Sequence, residues 1–275
     1  MAKSDEILDP EDIGKARYSR RVLIGQAALI VAVLIFWSLT SGRVFDPFYV
    51  GSPTGVVKVL ASDLADARFY RDLRVTGTEM ILGYVLGALS GIILGVLFTR
   101  WRLAADIADP FFSAFNSLPR IALAPLFVVW LGIDLAPKIV LAATLVFFIT
   151  FFTTISGIRN VDQALVNVAR LVGASERQIF RHVMLPGAAA WVMSGLKMSL
   201  PYALIGVIVG EFMIASSGLG YRLNYYSTSY NTNGTFAMLI VMMVLMMALN
   251  GLMSWVERRV FRWRGETRGG LVQPY

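Results

Sequence analysis

Residues 75–98 read VTGTEMILGYVLGALSGIILGVLF, an apolar run punctuated by glycines at 83, 87, 91 and 95. Coiled as a helix rising about 1.5 Å per residue, it is long enough to cross a hydrocarbon core of roughly 30 Å. A period of four places Gly83, Gly87, Gly91 and Gly95 on one stripe, where missing side chains let a second helix come close. Packing within the chain is the plain reading of that stripe, and a subunit or gating interface is the sharper one.

Five further runs share this character: Val22–Thr40, Leu118–Leu131, Lys138–Ile158, Ala188–Ile214 and Phe236–Val256. The expected fold is an all-α membrane protein with six transmembrane helices. The run from Val22 exceeds a signal-peptide core and lacks a small-x-small cleavage site, so it reads as a retained span. The third run is short and holds Pro119, Arg120 and Pro125. Ile107–Phe115 is expected to extend it, with Pro110 and Pro119 bending the helix. Such breakers are tolerated where neighbouring helices cover the backbone, so this span is expected to be an inner one.

Composition agrees. Hydrophobic residues make up 56% and charged residues 16%, with mean hydropathy +0.64, whereas soluble domains are about a quarter charged. No cysteine is present, which excludes a disulfide framework and thiolate metal sites; no metal site is expected. The net charge of +7 lies in short clusters between apolar runs, the pattern of membrane topology and not of a nucleic-acid face. Sixteen Lys and Arg fall on the side of both termini and seven on the other, so both termini are expected in the cytoplasm. The organisation is a cytoplasmic arm (1–21), a membrane domain (22–256) containing a cytoplasmic loop (159–186), and a cytoplasmic tail (257–275). In the first outer loop, Pro53 and Thr54 open an amphipathic helix carrying Val56, Val57, Leu60 and Leu64.

The loop after the fourth span is ordered in character. Asp162 caps a helix over Gln163–Leu171, Gly173 breaks it, and Ser175 with Gln178 forms a capping box for Glu176–Met184. Leu185-Pro186 is expected to end that piece and turn the chain into span five. The second helix is expected to expose Ile179, Phe180 and Val183 beside Arg177 and Arg181, as a ridge for a partner's groove or for lipid headgroups.

Here the chain resembles a known family. Asn167-Val168-Ala169, three residues, Gly173, nine residues and Val183-Met184-Leu185-Pro186 match the spacing of the EAA loop of binding-protein-dependent ABC importer permeases. Of the opening Glu-Ala-Ala only the last alanine is kept, and valine replaces the later isoleucine. NSLPRIALAPLFVVWLGI (116–133), GLKMSLPYALIGVIVGEFMIASSGLGY (195–221) and ERRVFRW (257–263) are similar to the nitrate, sulfonate and taurine branch. The resemblance implies a type I importer permease in a bacterial inner membrane. Its partners are a second permease subunit (a homodimer), cytoplasmic ATPases that hold ATP and magnesium, and an external solute-binding protein, with no cofactor on this chain. It also implies an ATPase-coupling set of Ala169, Gly173, Ala174, Ser175, Glu176, Arg177, Ile179, Phe180, Leu185 and Pro186, and a small anion as cargo.

Ionisable groups at membrane depth are costly and therefore candidates for the pathway or a gate. Arg120 faces an anion or pairs with a carboxylate, Lys197 snorkels or lines the pathway, and Glu211 serves a gate or a helix pairing. A membrane-embedded enzyme is disfavoured, because the only histidine is His182 and no spaced acidic motif stands out in the spans. No Walker A loop is present, so the chain is not itself the ATPase. An ion-gradient transporter or channel acting without an ATPase is the alternative; such transporters usually show repeated halves, and none is visible.

Overall fold

The computed structural model describes residues 10–214 and 216–261. Lys3 of the expected arm and Arg262, Arg264 and Arg268 of the expected tail lie outside these residues. Among the described residues every element is helical, apart from an isolated bridge between Ser41 and Phe45. The helices are α1 (Pro10–Thr40), α2 (Pro47–Val50), α3 (Pro53–Ala65), α4 (Ala67–Arg100), α5 (Arg102–Ser117), α6 (Ala124–Leu131), α7 (Leu135–Arg159), α8 (Gln163–Leu171), α9 (Glu176–Ile179), α10 (Leu185–Ile214), α11 (Leu219–Thr228) and α12 (Thr232–Val260). Five helical segments are long and apolar enough to cross a membrane, and a bent pair formed by α5 and α6 supplies a sixth.

Two units are compact in themselves. The first takes in the chain up to Asp63 and Tyr226–Ala237. Here the Trp37 indole N–H donates to the Val50 carbonyl at 3.0 Å, its ring lies 5.2 Å from that of Phe236, and Asn233 Oδ1 accepts from the Ser52 N–H at 2.8 Å. The expected outer helix is α3, but Val57 stays exposed while Val56 and Asp63 are buried.

The second unit runs over Leu64–Tyr225 and resumes at Met238. Its centre is α7, which packs against α4 on one side and α10 on another. The glycine stripe of α4 lies against α7: a Cβ on Gly83 would stand 2.6 Å from that of Ala142, one on Gly91 2.6 Å from the Phe147 carbonyl, and one on Gly95 2.9 Å from the Thr154 Cβ. The numbers climb together, so α4 and α7 run parallel. Against α10 they run in opposition, Gly195 meeting Thr153 and Gly206 meeting Ala142. Adding a methyl at Gly95 overpacks this seam, so Gly95→Ala will lower stability by about 1–3 kcal/mol. Thermal unfolding in detergent measures it; an unmoved midpoint would mean that the seam can slide apart.

Helix α4 begins eight residues before the apolar run that announced it. Asp66 caps it through the Arg68 N–H at 2.9 Å, a bond that holds the Asp66 carboxyl below the ordinary aspartate range. The third span is broken by 83°. The bend falls at Leu118-Pro119, where Leu118 is extended as a residue before proline prefers, while Pro110 is absorbed within α5. Its expected interior position is not met within this chain: α6 buries Ala124 and Phe127 and leaves Val129 and Trp130 exposed.

Leu185-Pro186 does not divide the loop from span five. Glu176–Ile214 forms one continuous span, in which residues 180–184 make a π turn. Pro186 has no N–H to donate and its ring crowds the carbonyl four residues back; the wider turn, closed by the Leu185 N–H on the Phe180 carbonyl, accommodates it without a break.

Candidate functional site

The loop between α7 and α10 is a closed elbow. Asp162 caps α8 through the Ala164 N–H at 2.8 Å. At its far end the Ala174 N–H reaches the Ala169 carbonyl and the Gly173 N–H reaches Arg170, both at 3.0 Å, with Gly173 at φ +83°. These two bonds form a Schellman motif, which requires the left-handed conformation that glycine adopts without strain. Ser175 and Gln178 then exchange capping bonds at the start of α9. Arg170 and Glu176 bridge the two arms at 3.2 Å. Local bonds therefore set the angle of the elbow.

Its exposed side is not the one expected. Reversal at Gly173 folds α9 back on α8, so Ile179 is 1% exposed and packs on Val161 and Val166, with Ala169, Ala174 and Val183 around them. Phe180 is half-buried, with the Arg100 guanidinium 5.3 Å from its ring centre. The apolar residues left open are Leu165 and Val168 on α8, then Leu171 and Val172 at the bend, the last two 85% and 78% exposed. Beside Val172 a groove of about 370 Å³ runs between Ala169, Gly173, Gln178 and His182. Glu176 and Arg177 are exposed, while Leu185 and Pro186 continue the helix.

At the opposite ends of the same helices lies a knot of buried charge, of which the sequence reading singled out only Glu211. Lys138 on α7 is paired with Glu79 on α4, and both side chains are shut from solvent. Glu211 on α10 accepts from the Thr76 hydroxyl at 2.7 Å and the Gly220 N–H at 2.6 Å. Thr76 in turn accepts from the Leu219 N–H at 2.8 Å, and Asp72 accepts from the Gly218 N–H at 3.1 Å and from Arg222 Nε at 2.8 Å. Residues 218–222 are thereby laced to one face of α4, and Glu211 holds a helix to a loop. Lys138 and Arg222 had counted only as flanking charges. The spacing of Asp72, Thr76 and Glu79 at i, i+4 and i+7 was the available signal, since it places all three on one helix face.

Lys197 does not stand alone: it is paired with Glu257 on α12, and the two side chains stay 32% and 38% exposed. Arg120 differs. It opens the short 3₁₀ turn (Arg120–Leu123) between α5 and α6 and, among the described residues, meets no carboxylate, so the expected ion pairing is absent. One terminal nitrogen bonds the Asn116 main-chain and side-chain oxygens, and the guanidinium lies 4.1 Å over the Phe148 ring.

Six apolar crossings, a parallel pair sealed by glycines and an ordered elbow between the fourth and fifth spans define a polytopic transport subunit. The inner membrane component family of binding-protein-dependent transport systems matches residues 80–262, and the chain belongs to it. A Bacillus subtilis protein described as a putative aliphatic sulfonates transport permease is 29% identical over 93% of this chain and 92% of its own length. The taurine transport system permease of Escherichia coli is 25% identical over 91% and 93%. A subunit of a bacterial ABC transporter that imports the acidic polysaccharide alginate shares the fold, with TM-score 0.61 at 13% identity, over 91% of this chain and 98% of that one. The protein is a multi-pass inner-membrane permease component of an ABC importer.

Proposed function

We propose that two copies of this chain form the pathway for a small anion such as a sulfonate, taurine or nitrate. An external binding protein delivers the anion, and two cytoplasmic ATPases, which hold the ATP and magnesium, drive the cycle. The observation that carries the reading is the elbow: a locally locked bend with Leu171 and Val172 open to a partner, at the spacing of the family's coupling loop. Both termini lie in the cytoplasm, as the distribution of Lys and Arg indicates. Residues 169–180 pass the closing motion of the ATPases to α7 and α10, which meet along their length, and so tilt the spans to alternate access. Support for an anion comes from the sulfonate and taurine relatives.

Reconstituted vesicles holding this chain, its ATPase and its binding protein are expected to accumulate radiolabelled taurine or ethanesulfonate only with ATP inside the ATPase compartment. Accumulation by this chain alone under an ion gradient would assign it to secondary transport. Stimulation of ATP hydrolysis solely by neutral solutes would remove the anion assignment.

A further inference from the structure

Among the described residues, Lys138, Lys197 and Arg120 lie within helical segments long and apolar enough to cross a membrane, and their surroundings differ. Lys138 has Glu79 and Lys197 has Glu257. Among the described residues Arg120 has no counter-charge, although a guanidinium placed there is costly without one. Its position is built with care nonetheless. Asn116, one helical turn earlier in α5, binds one terminal nitrogen through both its oxygens. Phe148 of α7 supplies a ring face to the cation, and the Nε atom is shut from solvent with no bonding partner. Phe148 belongs to a run of ring contacts that includes Phe112, Phe147 and Phe152.

A guanidinium carries five N–H donors in a rigid plane and pairs with an oxyanion through two parallel bonds. Asn116 fixes that plane but is neutral, so it orients the charge without cancelling it. The terminal N–H groups that Asn116 leaves free are the donors an arriving anion can take up. We propose that Arg120, at the break in the third span, receives the sulfonate or similar oxyanion of the transported solute. The neighbouring phenylalanine rings accept its short carbon chain. Asn116 is the positioning residue. The inference rests on the import reading above and supplies its solute contact. Unlike the buried pairs, this charge gains its partner only when cargo is present.

The test combines two measurements on Arg120→Met, Arg120→Lys and Asn116→Ala. In vesicles holding the full importer, uptake of taurine and ATP hydrolysis are read together. Arg120→Met is expected to lower uptake at least tenfold while hydrolysis stimulated by the loaded binding protein stays within twofold of wild type. Arg120→Lys, which keeps the charge but not the fork, recovers part of the uptake, and Asn116→Ala falls between. In detergent, ethanesulfonate raises the unfolding midpoint of the wild-type chain but not of Arg120→Met, and neutral dimethyl sulfone raises neither. Uptake per ATP equal to wild type in Arg120→Met overturns the inference. So does loss of the permease dimer in Arg120→Met with its recovery in Arg120→Lys, which would mean that a carboxylate of the second copy is the partner. Wild-type vesicles that import nothing would defeat the import reading instead, and the detergent titration would then decide Arg120 by itself.

Discussion

Replacing Lys138 by methionine will destabilise the chain by about 3–5 kcal/mol, and adding Glu79→Gln to the same chain will restore most of the loss. Lys138 is 5% exposed and Glu79 fully buried, so removing the ammonium leaves a carboxylate without water or counter-charge. Removing both charges leaves two groups of similar volume and no bare ion within the pair itself. The pair also joins α4 to α7 at the end where their glycine seam opens, so its loss should be felt along the seam. Intrinsic fluorescence during thermal unfolding in detergent provides the measure, with the two single variants and the double variant forming a cycle. A double variant as unstable as the sum of the singles would show that the two residues act separately and that the ion pair is not what holds these ends.

Much of the architecture was legible because its signals are local. Asp162, Gly173 and the Ser175–Gln178 box lie within a few residues of the bonds they make, so α8 was placed from Gln163 to Leu171 and the elbow after it. The six crossings followed from run length in the same way. What escaped depends on contacts distant in sequence. Nothing near Ile179 says that the reversal at Gly173 will bring it onto Val166, and by amphipathic pattern it looked like an exposed ridge. Lys138 finds a carboxylate 59 positions earlier, and Arg222 finds one 150 positions earlier. The third span escaped for another reason. Pro119 announced a bend, but the angle and the open face of α6, with Val129 and Trp130 exposed, depend on packing beyond the local sequence.

The same correction at Ile179 changes which residues should matter for coupling. Leu171→Asp and Val172→Asp are expected to weaken binding of the ATPase subunit by at least a hundredfold each, which corresponds to about 2.7 kcal/mol. Both side chains lie open at the bend, so a carboxylate there costs the isolated chain little, within about 0.5 kcal/mol. Buried in a partner's groove, the same carboxylate loses its water and finds an apolar wall, which is the desolvation penalty that makes central apolar contacts dominate an interface. Ile179→Asp provides the contrast. It introduces the charge into the packing of Val161 and Val166, so it should lower the unfolding midpoint of the chain and lose ATPase binding as a consequence. Binding measured by co-elution and by titration of the detergent-solubilised permease separates the cases when read beside the midpoint. If Leu171 and Val172 rest on lipid headgroups instead, their aspartate variants will bind the ATPase as the wild type does and will differ only in vesicles. The ATPase would then have to grip the elbow through the polar side of α9, at Glu176 and Arg177, and reversing those two charges would take over as the substitution that uncouples transport.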